Sequence, residues 1–248
     1  MRKAIRYLFV ASFVAAAAAF GTGAAGAAVT APSLPAVQAI TPSSGQKVGI
    51  AAPVTIQFAS AVTDRAKAER TVDVRAGNSL AGHFTWLDDR QLMWQADKFL
   101  PVSSPITVLA GRQTLKFETN GGTTADADMS AHTFTVWING VARTMPASMG
   151  KPGRETPVGT FPVLSRERSV TFDSRTIGIP LSDPEGYLIT GEFAERLTWG
   201  GVYVHSAPWS VDSQGNANVS HGCINLAPAD AEWYYDNVSI GDPVTTHW

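Results

Sequence analysis

The sequence predicts a mainly β protein made of two β domains in series. After about residue 40, short runs of β-branched and aromatic residues alternate with Gly, Pro, Asn and Asp along nearly the whole chain. The composition, 44% hydrophobic and 16% charged, is that of a globular protein. Its 248 residues are enough for two small domains that each bury a core.

The first 27 residues have the pattern of a secretory signal peptide. Arg2, Lys3 and Arg6 precede an apolar stretch over residues 7–20, and small residues follow up to Ala27. We therefore expect an exported protein that acts in the periplasm or cell wall. If the segment were not cleaved it would anchor the chain in the membrane, although the apolar run is shorter than the 18 or so residues of a usual span.

Residues 28–39 are Pro-rich and lack apolar periodicity, so we interpret them as a linker. Residues 40–120 contain about seven short β-type runs, among them a hairpin formed by residues 83–87 and 91–94 around Asp88. Asp64 is placed to cap one short helical turn. Seven strands in about 80 residues are typical of an immunoglobulin-like β-sandwich.

A second β-rich domain with few helices is expected over residues 131–248. Residues 121–130 are small and carry no apolar pattern, which predicts a linker. Asn139-Gly140 follows a β-type run and predicts a hairpin turn, because both residues tolerate a positive φ. Near the end of the chain, Pro228 and the acidic residues after it predict the start of a helix.

Bulk charge does not indicate a polyanionic partner. The chain has 19 basic and 21 acidic residues, and no Lys/Arg-rich run follows the first six residues. Nucleic acid is therefore excluded as an expected partner.

Cys223 is the only cysteine, so it cannot form an internal disulfide in an exported protein. A lone cysteine is often a buried small hydrophobe, but this one lies in Ser220-His221-Gly222-Cys223, just before the predicted helix. Backbone N–H groups of such a segment can form an oxyanion hole, and Gly222 lets a substrate approach the backbone. This context indicates a nucleophile.

A nucleophilic thiol needs a base, since at a reference pKa of about 8.5 little of it is ionised at neutral pH. A neighbouring imidazolium would lower that pKa. His205, at the end of an apolar β-type run, is our candidate partner. His221 remains the rival, because residues two apart share a face of an extended segment.

Two separated motifs resemble the L,D-transpeptidase catalytic domain. One is a His, His205, followed after fourteen residues by Ser-His-Gly-Cys, an apolar residue and Asn. The other is Gly-Lys-Pro-Gly-Arg-Glu-Thr-Pro-Val-Gly-Thr-Phe over residues 150–161. The resemblance covers about residues 131–248. One immunoglobulin-like module before that domain is similar to mycobacterial members of the family.

The resemblance implies roles for individual residues. Cys223 corresponds to the nucleophile, His205 to the general base, and the backbone carbonyl of Ser206 to the group that orients the imidazole. The backbone around His221, Gly222 and Cys223 corresponds to the oxyanion hole. The substrate-binding positions implied, under a mobile flap over about residues 172–187, are Phe172, Tyr187, Trp209, Ser220 and Asn225.

The implied reaction is acyl transfer between peptidoglycan stem peptides, without a metal or cofactor, and the implied inhibitors are carbapenems. Water as acceptor would make the enzyme an L,D-carboxypeptidase, and a lipoprotein amine would make it a protein-anchoring enzyme. Two other interpretations are a non-catalytic wall-binding or scaffolding protein, and a zinc site of His205, His221 and Cys223. Three ligands are fewer than structural zinc usually takes.

Overall fold

The computed structural model describes residues 33–248, so the predicted signal peptide, residues 1–27, lies outside the described residues. Within that range the fold is mainly β with few helices, which confirms the predicted class. No helix of the described part is long and apolar enough to cross a membrane.

The first module is a sandwich of two sheets. Its elements are β1 Val37–Thr41, β2 Lys47–Val48, β3 Val54–Phe58, α1 Arg65–Glu69, β4 Val72–Ala76, β5 Asn78–Ser79, β6 Gly82–Trp86, β7 Gln91–Ala96, β8 Pro105–Ala110 and β9 Gln113–Thr119. The sheet orders are β1-β3-β7-β6 and β2-β9-β8-β4-β5. Alternate residues of the strands point inward, and both sheets contribute to one buried core that includes Ile56, Leu92, Val108 and Phe117.

Local side-chain contacts explain two predicted features of this module. The Asp88 carboxylate accepts the backbone N–H groups of Arg90 and Gln91, each at 2.7 Å, which closes the turn between β6 and β7. Asp64 accepts the N–H of Lys67 at 2.9 Å and so caps α1. The hairpin and the capped helical turn are therefore both confirmed.

The predicted linker over residues 28–39 is too long at its C-terminal end. Val37–Thr41 is strand β1, which pairs antiparallel with β3. Only Ile40 of this strand is buried, because β1 lies at the edge of its sheet. One buried residue in five leaves no alternation that a sequence pattern could show.

The second module is built on nine hydrogen-bonded strands. Its elements are β10 Thr124–Asp128, β11 Thr133–Ile138, β12 Val141–Ser148, β13 Gly159–Pro162, β14 Ser165–Asp173, β15 Leu188–Arg196, β16 Tyr203–Ser206, β17 Ile224–Leu226, α2 Pro228–Asn237, β18 Pro243–His247, and the 3-10 helices Ser174–Ile177 and Pro208–Ser213. The strand order is β13-β18-β10-β11-β12-β17-β16-β15-β14.

The predicted linker over residues 121–130 is wrong for half of its length. Thr124–Asp128 is strand β10, paired antiparallel with β11 and parallel with β18. Ala125 and Ala127 point into the core and are 4% and 0% exposed. Because alanine carries a weak hydrophobic signal, the alternation of small buried and polar residues does not resemble a strand in the sequence.

The other predictions for this module are confirmed. Ile138 pairs with Val141 across Asn139 and Gly140, whose φ angles are 50° and 79° as a two-residue hairpin turn requires. Helix α2 begins at Pro228. It packs on the sheet, where the ring of Tyr234 meets Phe134 edge-on with centroids 4.9 Å apart.

The two modules contact each other through main-chain hydrogen bonds. The N–H groups of Gly49 and Ala51 donate to the carbonyls of residues 240 and 241, each at 2.8 Å. The side-chain amide of Asn120 donates to Asp242 at 2.6 Å. Burial raises the pKa of Asp242 to about 6, against the hydrogen bonds that its carboxylate accepts from the Ser239 N–H and the Asn120 amide.

A buried carboxyl belongs to β15, the strand between β16 and the edge strand β14 of the second module. Glu195 in β15 is fully buried, and neither of its carboxylate oxygens has a hydrogen-bond partner within residues 33–248. Burial raises the pKa of Glu195 well above its usual range, while the Arg166 guanidinium opposes the shift. The pKa of the buried Tyr234 hydroxyl is raised by burial and by Glu195. Burial thus favours the neutral form of both groups.

We expect Glu195→Gln to gain stability relative to the parent protein as pH rises. A raised pKa in the folded state means that the parent protein loses stability as pH increases from the unfolded-state pKa toward the folded-state one, by about 1.4 kcal/mol per pH unit. Glutamine cannot ionise, so it escapes this loss. Urea unfolding from pH 5 to 8 measures the difference.

The matched control is Glu232→Gln, whose side chain is 52% exposed in the parent protein. Its stability relative to the parent should stay constant over the same pH range. A constant difference for Glu195→Gln as well would show that the Glu195 carboxyl is ionised in the folded state.

Candidate active site

A cavity of about 440 Å³ opens on the second module and contains most of the predicted site residues. Its walls come from β14, β15, β16, the second 3-10 helix and the segment before β17. The lining residues are Phe172, Tyr187, Ile189, His205, Trp209, Ser210, Ser213, Val219, Ser220, His221, Cys223 and Asn225. Of the predicted residues, Ser206 and Gly222 are not part of the lining.

Parallel pairing of β16 with β17 brings His205 and the Ser-His-Gly-Cys segment of the motif together. Val204 pairs with Ile224, and His205 with Asn225. Cys223 immediately precedes β17, so its side chain and that of His205 reach the same cavity although 17 residues separate them in the chain. All four residues of β16 are buried, which makes the strand a rigid support for the imidazole.

The His205 ring is held by the main chain. Its Nδ1 lies 2.8 Å from the carbonyl oxygen of Ser206, and the residue is 3% exposed. Because a carbonyl can only accept, Nδ1 carries the proton and Nε2 keeps its lone pair in the neutral ring. Burial lowers the pKa of His205 to about 4, despite the hydrogen bond to Ser206. The resting imidazole is therefore neutral.

The Cys223 thiol is also neutral in this arrangement. The half-buried sulfur donates to the carbonyl of Gly201 at 3.6 Å, and neither imidazole is its hydrogen-bond partner among the described residues. Burial raises the pKa of Cys223 to about 12. The low pKa of His205 and the high pKa of Cys223 both favour the neutral forms, so burial opposes the expected ionisation of the thiol by a neighbouring imidazolium.

The expected set of oxyanion donors is corrected at one position. The N–H of Gly222 donates to the Ser220 hydroxyl at 3.1 Å, and that hydroxyl donates to the carbonyl of Cys223 at 2.7 Å. The loop turns back on itself at Gly222, where φ is +118° and a side chain would be strained. The N–H groups of His221 and Cys223 form no hydrogen bond within residues 33–248 and are the available donors.

The upstream motif supports this loop from behind. Thr156 is 1% exposed, and its hydroxyl accepts from the N–H of Gly150 at 3.0 Å and donates to the carbonyl of Gly222 at 2.9 Å. The N–H of Lys151 also donates to the carbonyl of Ser220, at 3.0 Å. The motif was visible in the sequence. Its contact with the cysteine loop, residues 220–223, was not, because Thr156 and Gly222 are 66 positions apart in the chain.

Aromatic side chains form the walls near the imidazole. The rings of Phe172 and Trp209 lie with centroids 4.5 Å and 5.9 Å from that of His205. Trp209 is half exposed, so it lines the cavity instead of filling the core. Tyr187 lies 5.2 Å from the ring of His221. Phe172, Tyr187 and Trp209, three of the expected substrate-binding residues, therefore line the same cavity.

Asn225 and Ser210 form a polar contact deeper in the wall. The side-chain amide of Asn225 donates to the Ser210 hydroxyl at 3.1 Å, and both residues are buried. Ser210 was not identified from the sequence, since an isolated serine in a short 3-10 segment has no distinguishing pattern.

His221 faces the flap loop. Its Nε2 lies 3.4 Å from a carboxylate oxygen of Glu185, which also pairs with Lys151. Burial and the charge of Lys151 lower the pKa of His221, while Glu185 opposes the shift. Glu185 was not identified from the sequence either, because a single acidic residue in a polar loop is usually solvated.

Comparisons with known proteins agree with this architecture. Residues 122–245 match the model of the L,D-transpeptidase catalytic domain family, and residues 7–115 match a bacterial Ig domain. The chain is 46% identical over 247 residues to L,D-transpeptidase 1 of Mycobacterium tuberculosis, covering 98% of each sequence.

Two solved structures are similar in fold and sequence. The structure of the L,D-transpeptidase LdtMt1 in complex with imipenem has a TM-score of 0.84 and 49% identity, covering 87% of this chain and all of that one. An L,D-transpeptidase from Mycobacterium smegmatis has a TM-score of 0.83 and 52% identity, covering 88% of this chain and all of that one. From its domain match and these full-length similarities, the chain belongs to the L,D-transpeptidase family.

Proposed function

We propose that this protein cross-links peptidoglycan stem peptides with Cys223 as nucleophile and His205 as general base. The observation that carries the proposal is the shared cavity of the two side chains, with Nε2 of His205 left as a proton acceptor by the Nδ1 hydrogen bond to Ser206. A neutral imidazole and a neutral thiol that line one cavity are the starting state for general-base catalysis.

In the first half-reaction the sulfur of Cys223 attacks the amide carbonyl between the L-centre of diaminopimelate and the terminal D-Ala of a tetrapeptide stem. The thiol proton moves to Nε2 of His205 as the S–C bond forms, and the Cys223 N–H faces the developing oxyanion. The C–N bond then breaks, and the imidazolium returns its proton to the departing amine. Free D-Ala leaves, and the stem remains attached as a thioester.

In the second half-reaction the side-chain amine of diaminopimelate in another stem attacks the thioester. His205 takes a proton from that amine, the new C–N bond forms, and the C–S bond breaks. The imidazolium then protonates the sulfur and restores the thiol. Atoms and charges balance without a metal or cofactor. The product is an amide bond between two diaminopimelate residues.

The identity of the acceptor separates this proposal from its alternatives. Water on the same thioester would release a tripeptide stem, which is L,D-carboxypeptidase activity, and a lipoprotein amine would attach a protein to the wall. A non-catalytic wall-binding or scaffolding protein would leave the stem unchanged. The open cavity beside Cys223 favours an enzyme over a scaffold.

We further propose that the protein acts outside the cytoplasmic membrane, in the periplasm or cell wall, after export by the segment over residues 1–27. Its partners are the donor and acceptor stem peptides. Carbapenems are the proposed inhibitors, supported by the imipenem complex of a relative. Acylation of Cys223 by the β-lactam carbonyl would follow the chemistry of the first half-reaction.

The function is tested by incubating the purified protein with disaccharide-tetrapeptide stems and identifying the products by mass spectrometry. We expect free D-Ala and dimers joined between diaminopimelate residues, and neither product with Cys223→Ala. Tripeptide monomers alone would identify a carboxypeptidase. An unchanged stem, together with no imipenem adduct in the intact mass, would favour the scaffolding alternative.

Alanine substitutions should show which of the two histidines, His205 or His221, accepts the thiol proton. His205→Ala is expected to slow imipenem acylation by about a hundredfold or more, because no proton acceptor remains beside the thiol. His221→Ala should retain a rate within about tenfold of the parent. Stopped-flow absorbance of the drug measures both rates, with circular dichroism as the folding control. A normal rate in His205→Ala would transfer the role of base to His221.

The pH profile of acylation depends on the protonation of His205. The imidazole accepts a proton only when it is neutral, and burial lowers its pKa to about 4. The rate should therefore stay near its maximum as pH falls from about 7 to about 5 and decline only near pH 4. An acid limb close to the ordinary imidazole pKa of about 6.5 would contradict the buried, neutral state.

A further inference from the structure

A carboxylate of the protein itself occupies the rim of the catalytic cavity. Glu185, in the loop between the first 3-10 helix and β15, bridges the Nζ of Lys151 and the Nε2 of His221, the latter at 3.4 Å. His221 lines the cavity. The Glu185 side chain is 47% exposed, so burial does not force it into this position.

The rim beneath this carboxylate is positively charged. Arg154 lies three residues after Lys151, and the charges of both act on the pKa of His221 in the same direction, lowering it. The nearby Glu155 does not bridge these cations, because its carboxylate accepts the N–H of Gly153 at 2.7 Å. Lys151 is thus paired with the Glu185 carboxylate, and Arg154 adds a second positive charge near His221.

The cations and the carboxylate are held by different parts of the fold. The N–H of Lys151 donates to the carbonyl of Ser220, and the N–H of Arg154 donates to the carbonyl of Lys151, so both are attached to the cysteine loop. The N–H of Glu185 donates only within its own loop, to Asp183 at 2.8 Å. The loop can therefore withdraw its carboxylate while the cations stay attached to the cysteine loop at the rim.

We propose that Lys151, Arg154 and His221 form a subsite for a carboxylate of the stem peptide, which Glu185 occupies in the free protein. This inference rests on the proposed stem-peptide substrate. An exposed ion pair contributes little to stability, so exchanging one carboxylate for another costs little. The exchange keeps the cations paired and releases the loop from the rim. Glu185 is then a competitor for the subsite, and Lys151 determines affinity for the carboxylate.

Binding in the absence of turnover tests this proposal. In the Cys223→Ala protein, calorimetry measures the affinity of the tetrapeptide stem. Adding Lys151→Met should weaken binding about tenfold, because a charge-assisted hydrogen bond is lost. Adding Glu185→Gln should tighten binding severalfold, because the competing charge is removed. Adding Lys47→Met, an exposed lysine of the first module, should change nothing.

Two altered peptides identify the carboxylate. One carries D-alaninamide at its end, and the other has L-lysine in place of diaminopimelate, which removes the carboxylate at its D-centre. The peptide that lacks the recognised carboxylate should bind weakly and should be insensitive to Lys151→Met, whereas the other should behave like the parent peptide.

Equal weakening of all three peptides by Lys151→Met would overturn the subsite. So would weaker binding in Glu185→Gln, which would mean that the ion pair only positions the loop. These affinities are independent of catalysis. The expected pattern in a protein whose parent form releases no D-Ala would support the subsite while refuting the proposed function.

Discussion

The hydrogen bond between Nδ1 of His205 and the carbonyl of Ser206 is the constraint on which the site depends. It joins neighbouring residues of one fully buried strand, so the ring direction is set by the main chain and not by a charged partner. A carboxylate in that position would stabilise an imidazolium. A neutral carbonyl in a buried setting leaves the ring neutral, and Nε2 is then available as a base.

The cysteine loop, residues 220–223, is also held by uncharged groups, like the His205 ring. Ser220 holds it from within through the N–H of Gly222 and the carbonyl of Cys223, and Thr156 holds it from behind. Every one of these contacts is a neutral hydrogen bond, which orients the backbone without adding charge beside the thiol. The charged groups lie at the rim, where Glu185 meets Lys151. The neutral groups that orient the cysteine loop and the charged groups proposed to bind the substrate therefore lie in different parts of the site.

Much of the fold could be predicted because turn chemistry and motif spacing are local. The Asn139-Gly140 hairpin and the Cys223 and His205 assignments depend on residues whose chemistry is specific. The linker over residues 121–130 failed because alanine, although buried in β10, carries too little hydrophobic signal. The N–H of Gly222 failed as an oxyanion donor because its partner is the Ser220 hydroxyl, and a serine gives no sign of which way it will turn.

Burial explains why the protonation states of Cys223 and His205 could not be predicted from the sequence. Sequence spacing brings a thiol and an imidazole together, but their protonation states depend on the desolvation that the whole module imposes. The ion pair between Glu185 and Lys151 could not be predicted either, because the two residues are 34 positions apart in the chain. Both properties arise from tertiary packing and have no local signature.

The protonation state of Cys223, on which the proposed mechanism rests, is measured by the ultraviolet absorbance of the thiolate. Cys223 is the only cysteine, so the difference between the parent protein and Cys223→Ala reports on this sulfur alone. We expect no thiolate step below about pH 10, because burial raises the pKa of the thiol to about 12. A step between about pH 4 and pH 7, as in a thiolate–imidazolium pair, would contradict it.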